Sequence, residues 1–267
     1  MLNNLIIGDT SQLSSFFPNS YERISARNIN FDDYLDHFYD RVYILFAEQR
    51  TFDKSLIEED FLKVNVELTS IFIEFFSKIS NKVIVYGTAE LWNKHDGEID
   101  INTEINYKYS PYVKSKEVLY KTIIDNRNMN KWKNVVIIHP FNFNSLNRKE
   151  GFLFYKIFNS LMNDVVVNVG ILDINRDLIH PKYLVESSLI SDDDCIIGSG
   201  KLTNVENFIK ELFQSFGKNP DDYIIPDLTL ASNHTGNEFW LKSDKKYDNL
   251  LKDTVDEINK KIKIENE

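Results

Sequence analysis

Short runs of apolar residues, each the length of a β-strand, alternate along this chain with stretches whose apolar residues recur at helical spacing. The runs lie within Asn4–Gly8, Val42–Ala47, Lys82–Tyr86, Asn134–His139 and Val165–Val169. Strands that are apolar on both sides must be covered on both faces, as in a parallel sheet. Because helical stretches separate these strands, the sequence predicts an α/β fold built on a doubly wound parallel sheet.

The helical stretches are predicted from the recurrence of apolar residues every three to four positions. They cover Ser55–Ile79, Ser110–Asn126, Thr203–Phe216 and Leu250–Ile264. A polar turn after Gly8 predicts another helix following the first strand, with a second strand inside Asn19–Ile24. The helix over Ser55–Ile79 is apolar on more than one face, which is typical of a helix that is fully buried or lies at a subunit interface.

The composition excludes several classes of protein. The chain has 267 residues, 42% of them hydrophobic, which allows a sizeable core. Its net charge of −10 disfavours general nucleic-acid binding, which requires clustered Lys and Arg. No apolar run reaches the ~18 residues of a membrane span, and the N-terminus does not resemble a signal peptide. We therefore expect no membrane association and a cytoplasmic location, and we interpret the single cysteine, Cys195, as structural.

The segment Tyr112–Lys116 places a tyrosine and a lysine one helical turn apart. Both side chains therefore emerge from the same face of the predicted helix. A cationic lysine at that position favours the phenolate and lowers the tyrosine pKa from its usual ~10. Such a tyrosine can donate or accept a proton near neutral pH. The hydroxyl of Thr88, at the end of an apolar strand, is a candidate partner for the same substrate oxygen.

Candidate functional residues follow the ends of several predicted strands. They lie in Gly8–Ser11, Ala47–Thr51, Thr88 and His139–Asn142. Ligands of doubly wound sheets bind at the carboxyl ends of the strands, so these segments are expected to converge on one site. The histidines do not show the spacing of metal ligands, and we expect no metal.

Together these residues resemble the extended short-chain dehydrogenase/reductases that modify nucleotide sugars. The segment Gly8–Ser14 (GDTSQLS) stands where that family has Gly-x-x-Gly-x-x-Gly. The first glycine is kept, whereas Ser11 and Ser14 replace the second and third. Glycines there allow close approach of the backbone to a pyrophosphate, so the replacements predict weaker binding of the cofactor.

The subgroup that the motifs resemble most is the GDP-mannose 4,6-dehydratases. The similar segments are Thr88–Trp92 (TAELW), Ser110–Lys116 (SPYVKSK), Phe141–Arg148 (FNFNSLNR) and Gly170–His180 (GILDINRDLIH). One departure is Tyr183, which stands where that subgroup has an aspartate.

The resemblance implies a Rossmann-type dinucleotide-binding domain over residues 1–140, with 165–182 contributing, and a smaller C-terminal substrate-binding lobe over 141–164 and 183–267. It implies a homodimer formed through helices 55–79 and 110–126, and a nucleotide-diphosphate sugar as substrate. The implied site residues are Thr88, Glu90, Tyr112 and Lys116 for catalysis, Gly8, Ser11, Gln12, Ser25, Arg27, Ala47 and Lys116 for the cofactor, and Asn142, Arg148 and Arg176 for the substrate.

The cofactor preference is predicted from the residues after the second strand. Dinucleotide-binding folds that select NAD carry an acidic residue near this point, where it binds the ribose. Arg27 suits a 2′-phosphate instead, and Ser25 adds a hydroxyl donor. We therefore expect NADP(H) to be preferred over NAD(H).

The reaction expected first is NADP(H)-dependent 4-keto reduction of an NDP-4-keto-6-deoxy sugar. A 4,6-dehydratase is the alternative, because the Glu90 carboxylate could remove the C5 proton of a 4-keto sugar. A 4-epimerase and a catalytically inactive relative that binds nucleotide sugars also stay open. The replaced glycines favour the inactive relative, whereas Thr88, Tyr112 and Lys116 oppose it.

Overall fold

The computed structural model describes residues 3–230 and 237–265. The chain forms two compact units. Unit 1 comprises Met1–Leu91, Ile105–Pro140 and Val185–Ile197, and unit 2 comprises Trp92–Glu104, Phe141–Leu184 and Gly198–Glu267. No helix within the described ranges is both long enough and apolar enough to cross a membrane.

The strands are, in chain order, β1 (Asn3–Ile7), β2 (Glu22–Ile24), β3 (Tyr39–Ile44), β4 (Ser80–Tyr86), β5 (Gly97–Ile99), β6 (Val135–Pro140), β7 (Asn142–Phe143), β8 (Val167–Val169), β9 (Asn175–Arg176), β10 (Leu178–Ile179), β11 (Cys195–Ile197), β12 (Thr203–Asn204), β13 (Ile224–Pro226) and β14 (Phe239–Leu241). The helices are α1 (Glu58–Leu62), α2 (Thr69–Phe76), α3 (Pro111–Asn128), α4 (Leu153–Asn163), α5 (Pro181–Ile190), α6 (Val205–Ser215) and α7 (Leu250–Glu265). A π-helical turn, Lys63–Leu68, joins α1 to α2.

Unit 1 is built on a six-stranded sheet with the order β11-β6-β4-β3-β1-β2, in which every pair is parallel. Strand β1 pairs with β2 on one side and with β3 on the other, so the winding direction reverses at β1. Such a switch point opens a crevice at the carboxyl ends of the strands. The predicted α/β fold with a Rossmann-type doubly wound sheet is confirmed.

The central strands of the sheet contain runs of buried apolar residues, which explains why helices must cover them. Leu5, Ile6 and Ile7 of β1 are fully buried, as are Val83 and Ile84 of β4. Burial of one such side chain contributes about 1.5–3 kcal/mol to folding. Strands that bury both faces cannot sit at a solvated surface, so the continuous apolar runs determine the interior position of β1, β3, β4 and β6.

The predicted helix over Ser55–Ile79 corresponds to α1, the π-helical turn and α2. Phe72 and Phe76 face the sheet, and the ring of Phe31 lies 5.2 Å from Phe72 and 4.7 Å from Phe75 between centroids. The connection between β2 and β3 therefore covers a second apolar face of this helix. The side chains exposed along α1, the π-helical turn and α2 are mostly charged, namely Glu59, Lys63, Glu67, Ile71 and Glu74. The homodimer stays a prediction, since the aromatic residues that suggested it have contacts within the chain.

The β1–β2 connection differs from the prediction, because no α-helix follows the first strand. Between Gly8 and Tyr21 the regular structure is one 3₁₀ turn, Ser14–Phe16. Phe17 is buried, and Pro18 follows it. A proline has no backbone N–H to donate and its ring clashes with the preceding turn, so a helix cannot run through this position. The guanidinium of Arg23 on β2 donates to the carbonyl oxygens of Ser14, Phe17, Pro18 and Tyr21.

The predicted buried strand over Val165–Val169 is wrong. Strand β8 begins at Val167 and pairs with β13, outside the six-stranded sheet. Val165 and Val166 are 42% and 52% exposed. The sixth strand of the sheet is β11, which the prediction missed because its three residues are too few to show a pattern.

A buried carboxylate organises unit 2. Asp177 is 1% exposed and accepts hydrogen bonds from the backbone N–H groups of Ser199, Gly200 and Leu241, at 2.5, 3.2 and 3.0 Å. These bonds favour the ionised form, but burial is the larger effect and raises the pKa of Asp177. Backbone groups from distant parts of the sequence thus meet on one side chain.

Asp194 fastens α3, β6 and the segment before β11 in unit 1. Its carboxylate accepts hydrogen bonds from both terminal nitrogens of Arg127, at 2.6 and 2.7 Å, and from the N–H of Ile137 at 2.8 Å. Asp194→Ala would leave a half-buried guanidinium and a backbone N–H without this acceptor. We expect the free energy of unfolding to fall by about 2 kcal/mol in urea denaturation.

The neighbouring Asp193 provides the matched control, since it is exposed and forms no ion pair within the described ranges. Asp193→Ala should change stability by less than about 0.5 kcal/mol. Equal effects of the two substitutions would contradict the role given to Asp194.

Candidate active site

A buried lysine connects α3 to the end of β4. Lys116 is 4% exposed, and its Nζ donates to the carbonyl oxygen of Tyr86 at 2.7 Å. Burial lowers the pKa of Lys116 to about 8, because a charged ammonium loses its hydration there. An ammonium carries three donors, so two remain for a ligand beyond the bond to Tyr86.

Tyr112 lies in the first turn of α3, one turn before Lys116. The start of α3 is fixed by Ser110, whose Oγ accepts from the N–H of Val113 at 3.2 Å, and by Pro111 at the first helical position. The ring of Tyr112 meets Phe61 edge to face, with centroids 6.4 Å apart. The cap and the ring contact together determine where the phenol stands.

Thr88 lies just beyond β4 and is buried. Its Oγ1 accepts the N–H of Glu90 at 3.2 Å, and a hydroxyl has one proton to donate in addition to its acceptor capacity. The hydroxyl therefore keeps a proton that it can donate to another acceptor. Glu90 is half-buried in the 3₁₀ turn Ala89–Trp92.

Gly87 allows β4 and β6 to approach closely at this end of the sheet. A Cβ atom on Gly87 would lie 2.5 Å from Nδ1 of His139, so only glycine fits. His139 is fully buried, and burial lowers its pKa to about 4, which keeps the imidazole neutral. Its Nδ1 lies 3.4 Å from the carbonyl oxygen of Thr88. His139 therefore packs behind Thr88.

Asn65 supports the site and was missed by the sequence prediction. It is fully buried in the π-helical turn, where Nδ2 donates to the hydroxyl of Ser115 at 2.9 Å and to the carbonyl of Glu48 at 3.0 Å. Its Oδ1 accepts the N–H of Glu48 at 2.8 Å. Ser115 in turn donates to the Tyr112 carbonyl. The available signal was an asparagine in phase with the buried Phe61 and Phe72.

The predicted cofactor residues of the first and third strands converge. Gly8 has φ +109°, and a Cβ there would lie 3.1 Å from the backbone nitrogen of Phe46 after β3. The N–H of Ser11 donates to the Gly8 carbonyl, and Gln12 Nε2 lies 3.4 Å from Oε1 of Gln49. Ala47, which lies between Phe46 and Gln49 in the sequence, is half-buried.

The predicted 2′-phosphate residues follow β2. The Oγ of Ser25 accepts the N–H of Arg27 at 3.2 Å, so the two residues form one tight turn. The guanidinium of Arg27 is exposed, and among residues 3–230 and 237–265 it forms no ion pair. Lys116 with its remaining donors and Arg27 fit the two ends of a dinucleotide. The β1–β2 connection, which has no helix, does not fit the pyrophosphate in the expected manner.

The predicted substrate residues lie in unit 2. Asn142 is exposed on β7, opposite Leu178 of β10. The guanidinium of Arg148 stacks between two rings, 5.0 Å from Phe143 and 4.4 Å from Phe152. Arg176 donates to the carbonyl oxygen of Asn175 at 2.7 Å and forms no ion pair with any described residue. Because Asp177 binds backbone N–H groups instead, the guanidinium of Arg176 keeps donors for a ligand.

Two other groups have no evident role in the chemistry of this site. Burial raises the pKa of the Cys195 thiol, which makes it a poor nucleophile. In the part of the chain that the structure describes, no group of three or more His, Cys, Asp or Glu side chains is placed to hold a metal ion.

Comparison with protein families gives a match to the NAD dependent epimerase/dehydratase family over residues 22–190, more than half of the 267 residues. This range begins at the first residue of β2, so the β1–β2 connection lies outside it. No functionally curated protein matches the sequence.

Solved structures share the fold at low sequence identity. RMD from Pseudomonas aeruginosa, complexed with NADPH, superposes with a TM-score of 0.76 at 12% identity and covers 97% of this chain and 99% of its own. The UDP-N-acetylglucosamine 4-epimerase from Methanobrevibacter ruminantium M1, in complex with UDP-N-acetylmuramic acid, gives 0.76 at 12%, with 98% of each chain covered. The dTDP-glucose 4,6-dehydratase DesIV from Streptomyces venezuelae gives 0.75 at 12%, covering 97% and 96%. At such identities the likeness shows the fold alone.

The burial of Lys116 makes stability depend on pH in a defined window. The unfolded chain binds more protons than the folded one between the folded pKa of about 8 and the model-peptide value of ~10.4. Stability contributed at this site therefore rises as pH increases through that window. Lys116→Met removes the titrating group, and its stability advantage over the wild type should be largest below pH ~8 and shrink by on the order of 3 kcal/mol toward pH ~10.5.

The measurement is urea denaturation of both proteins across this pH range, comparing the two at each pH so that other titrations cancel. A difference that does not change with pH would show that Lys116 is not buried as a charged group.

Proposed function

The chain belongs to the NAD-dependent epimerase/dehydratase family, and we propose that within it the chain reduces the 4-keto group of a nucleotide-linked 4-keto-6-deoxy sugar. The single observation that carries this proposal is the hydrogen bond from Lys116 to the Tyr86 carbonyl. That bond brings the helix with Tyr112 to the end of β4, just before Thr88, whose hydroxyl keeps a proton to donate while its oxygen accepts the N–H of Glu90. A proton donor, a cation and a neutral donor therefore share one strand end.

The residues of this strand end suit reduction of a carbonyl. When bound, a reduced nicotinamide supplies hydride to the carbonyl carbon. Tyr112 gives its phenolic proton to the oxygen that gathers negative charge, which is general acid catalysis. Lys116 stabilises the phenolate that remains, and Thr88 donates a second hydrogen bond to the oxygen. His139 is neutral and adds no charge that competes with Lys116.

Exchange of the cofactor in every turnover distinguishes a reductase from a dehydratase or an epimerase, which regenerate theirs. The β1–β2 connection, without an α-helix, lacks the anion-binding end that would retain a pyrophosphate. Weak retention suits a cofactor that must leave after each reaction. RMD from Pseudomonas aeruginosa is complexed with NADPH, and we extend that cofactor to this chain on the basis of Ser25 and Arg27.

We propose a nucleotide-diphosphate sugar as substrate, held in unit 2 by Asn142, Arg148 and Arg176. Arg176 has donors that no described carboxylate engages, and a guanidinium reads phosphate oxygens in a bidentate manner. The guanidinium of Arg148 lies over the rings of Phe143 and Phe152, and a guanidinium can stack on an aromatic face and also bind phosphate. Neighbouring structures contain UDP-glucose and UDP-N-acetylmuramic acid, which agrees with this class of ligand.

A 4,6-dehydratase is the second candidate, and one observation favours it. The N–H of Glu90 donates to the hydroxyl of Thr88, so this residue follows closely on the proposed donor, and we propose its carboxylate as the base. In that reaction Glu90 would take the proton from C5 of the 4-keto sugar, and the 6-hydroxyl would leave as water.

We also propose a homodimer through helices 55–79 and 110–126.

Tyr112→Phe tests the proposed proton donor. The substitution removes the hydroxyl and keeps the ring that packs on Phe61, so turnover with NADPH and a 4-keto sugar should fall by about 100-fold or more. The matched control is Tyr120→Phe on the same helix, whose ring lies 5.7 Å from His139 and should leave turnover nearly unchanged. Equal loss in both variants would mean that packing, and not proton transfer, was disturbed.

Glu90→Gln separates the two candidate reactions. A reductase should tolerate this change, because no proton is taken from C5. A dehydratase should stop after oxidation at C4, which is measured by product mass with an unmodified NDP-hexose. Production of a 4-keto-6-deoxy sugar by the wild type without net consumption of NADPH, abolished by Glu90→Gln, would establish the dehydratase instead.

Arg27→Asp tests the cofactor preference. It replaces a charge-assisted bond to the 2′-phosphate by repulsion, so NADPH binding should weaken by on the order of 2 kcal/mol while NADH binding changes little. Titration of reduced-nicotinamide fluorescence measures both affinities. Lys131→Asp makes the same change of charge between α3 and β6, at the opposite edge of the sheet, and should leave both unchanged. Equal affinity of the wild type for NADH and NADPH would overturn the preference.

A further inference from the structure

The β1–β2 connection is poorly suited to an anion. Its residues, from Gly8 to Tyr21, include no lysine and no arginine. The residue directly after Gly8 is Asp9, whose carboxylate is exposed. The 3₁₀ turn Ser14–Phe16 is too short to provide the partial positive charge that a longer helix has at its N-terminus. A pyrophosphate at this strand end therefore meets no cationic side chain of the connection.

The nearest arginine in the sequence is occupied elsewhere. Arg23 donates from Nη1 to the Tyr21 carbonyl at 2.8 Å, and from Nη2 to the carbonyls of Ser14, Phe17 and Pro18 at 3.0–3.2 Å. These bonds hold the connection in an irregular but fixed course. A guanidinium that serves four backbone carbonyls is not available to a phosphate without releasing the connection.

Two cationic groups of unit 1 lie at other strand ends. Lys116 keeps two donors in a buried setting at the end of β4. Arg27 is exposed after β2, on a turn fixed by Ser25, and forms no ion pair with the described residues. The positive charge of unit 1 on these elements is thus placed beyond both sides of the β1–β2 connection and not within it.

We infer that this site holds a reduced dinucleotide at its nicotinamide ribose and at the 2′-phosphate on its adenosine ribose, with little contribution from the pyrophosphate and from the rest of the adenosine. This inference rests on the proposed function. It implies that reduced nicotinamide mononucleotide is also a ligand of the site. The order of affinity follows from the charges: NADPH binds most tightly, and NADH binds no more than about 10-fold more tightly than the mononucleotide.

The experiment is fluorescence titration of the full chain with NADPH, NADH and reduced nicotinamide mononucleotide, at one salt concentration. Lys116→Met should weaken all three ligands by a similar factor, because all carry the nicotinamide ribose. Arg27→Asp should weaken NADPH alone and bring it to the level of NADH. Lys131→Asp, with the same change of charge at the opposite edge of the sheet, should weaken none.

The outcomes distinguish this inference from the proposed function. Saturable binding of the mononucleotide within about 10-fold of NADH, displaced by NADPH, supports the inference. If NADH binds more than about 10-fold more tightly than the mononucleotide, the pyrophosphate and the adenosine contribute to binding. The inference is then wrong, while the proposed reductase stands. If neither NADPH nor NADH binds, the inference and the proposed function both fall.

Discussion

The burial of one ammonium group constrains the rest of unit 1. Lys116 can remain charged inside the protein only while its Nζ has an acceptor, and the carbonyl of Tyr86 provides one at 2.7 Å. That bond requires the second turn of α3 to lie over the end of β4, and Ser110 and Pro111 contribute by fixing where the helix begins. The position of α3, the end of β4 and the arrangement of the site residues therefore depend on the same hydrogen bond.

Much of unit 1 could be predicted because its strands are apolar on both faces and its helices have clear starts. Runs such as Val83–Val85 leave few alternatives to the interior of a parallel sheet. The start of α6, predicted at Thr203 and found at Val205, is fixed by a local interaction, since the side chain of Asn204 accepts the N–H of Asn207. What escaped prediction was decided by distant contacts. Three residues of β11 carry no period, and only pairing with β6 makes them a strand.

Tertiary contacts also explain why no α-helix follows the first strand and what covers the second apolar face of the long helix. Serines and apolar residues after Gly8 have helical spacing, yet Arg23 on the next strand binds the carbonyls that a helix would need for itself. Phe31 belongs to a stretch with one 3₁₀ turn, and its packing against Phe72 could not be foreseen from either segment alone. Asn65 is instructive in another way. A polar residue in phase with a buried face signals an internal hydrogen-bonding task, which here is to join Glu48 to Ser115.

The two ends of the crevice in unit 1 therefore differ in how many contacts hold their residues in place. At the β4 end, three elements fix the groups of the site: α3 holds Lys116, the π-helical turn holds Ser115 through Asn65, and β6 packs His139 behind Thr88. At the β2 end, a three-residue edge strand follows a connection without an α-helix. Rate depends steeply on the position of the reacting groups, whereas loss of binding to remote parts of a ligand mainly raises the concentration needed. A sheet shortened at its edge can thus lose affinity for a cofactor while the geometry that performs the proton transfer stays intact.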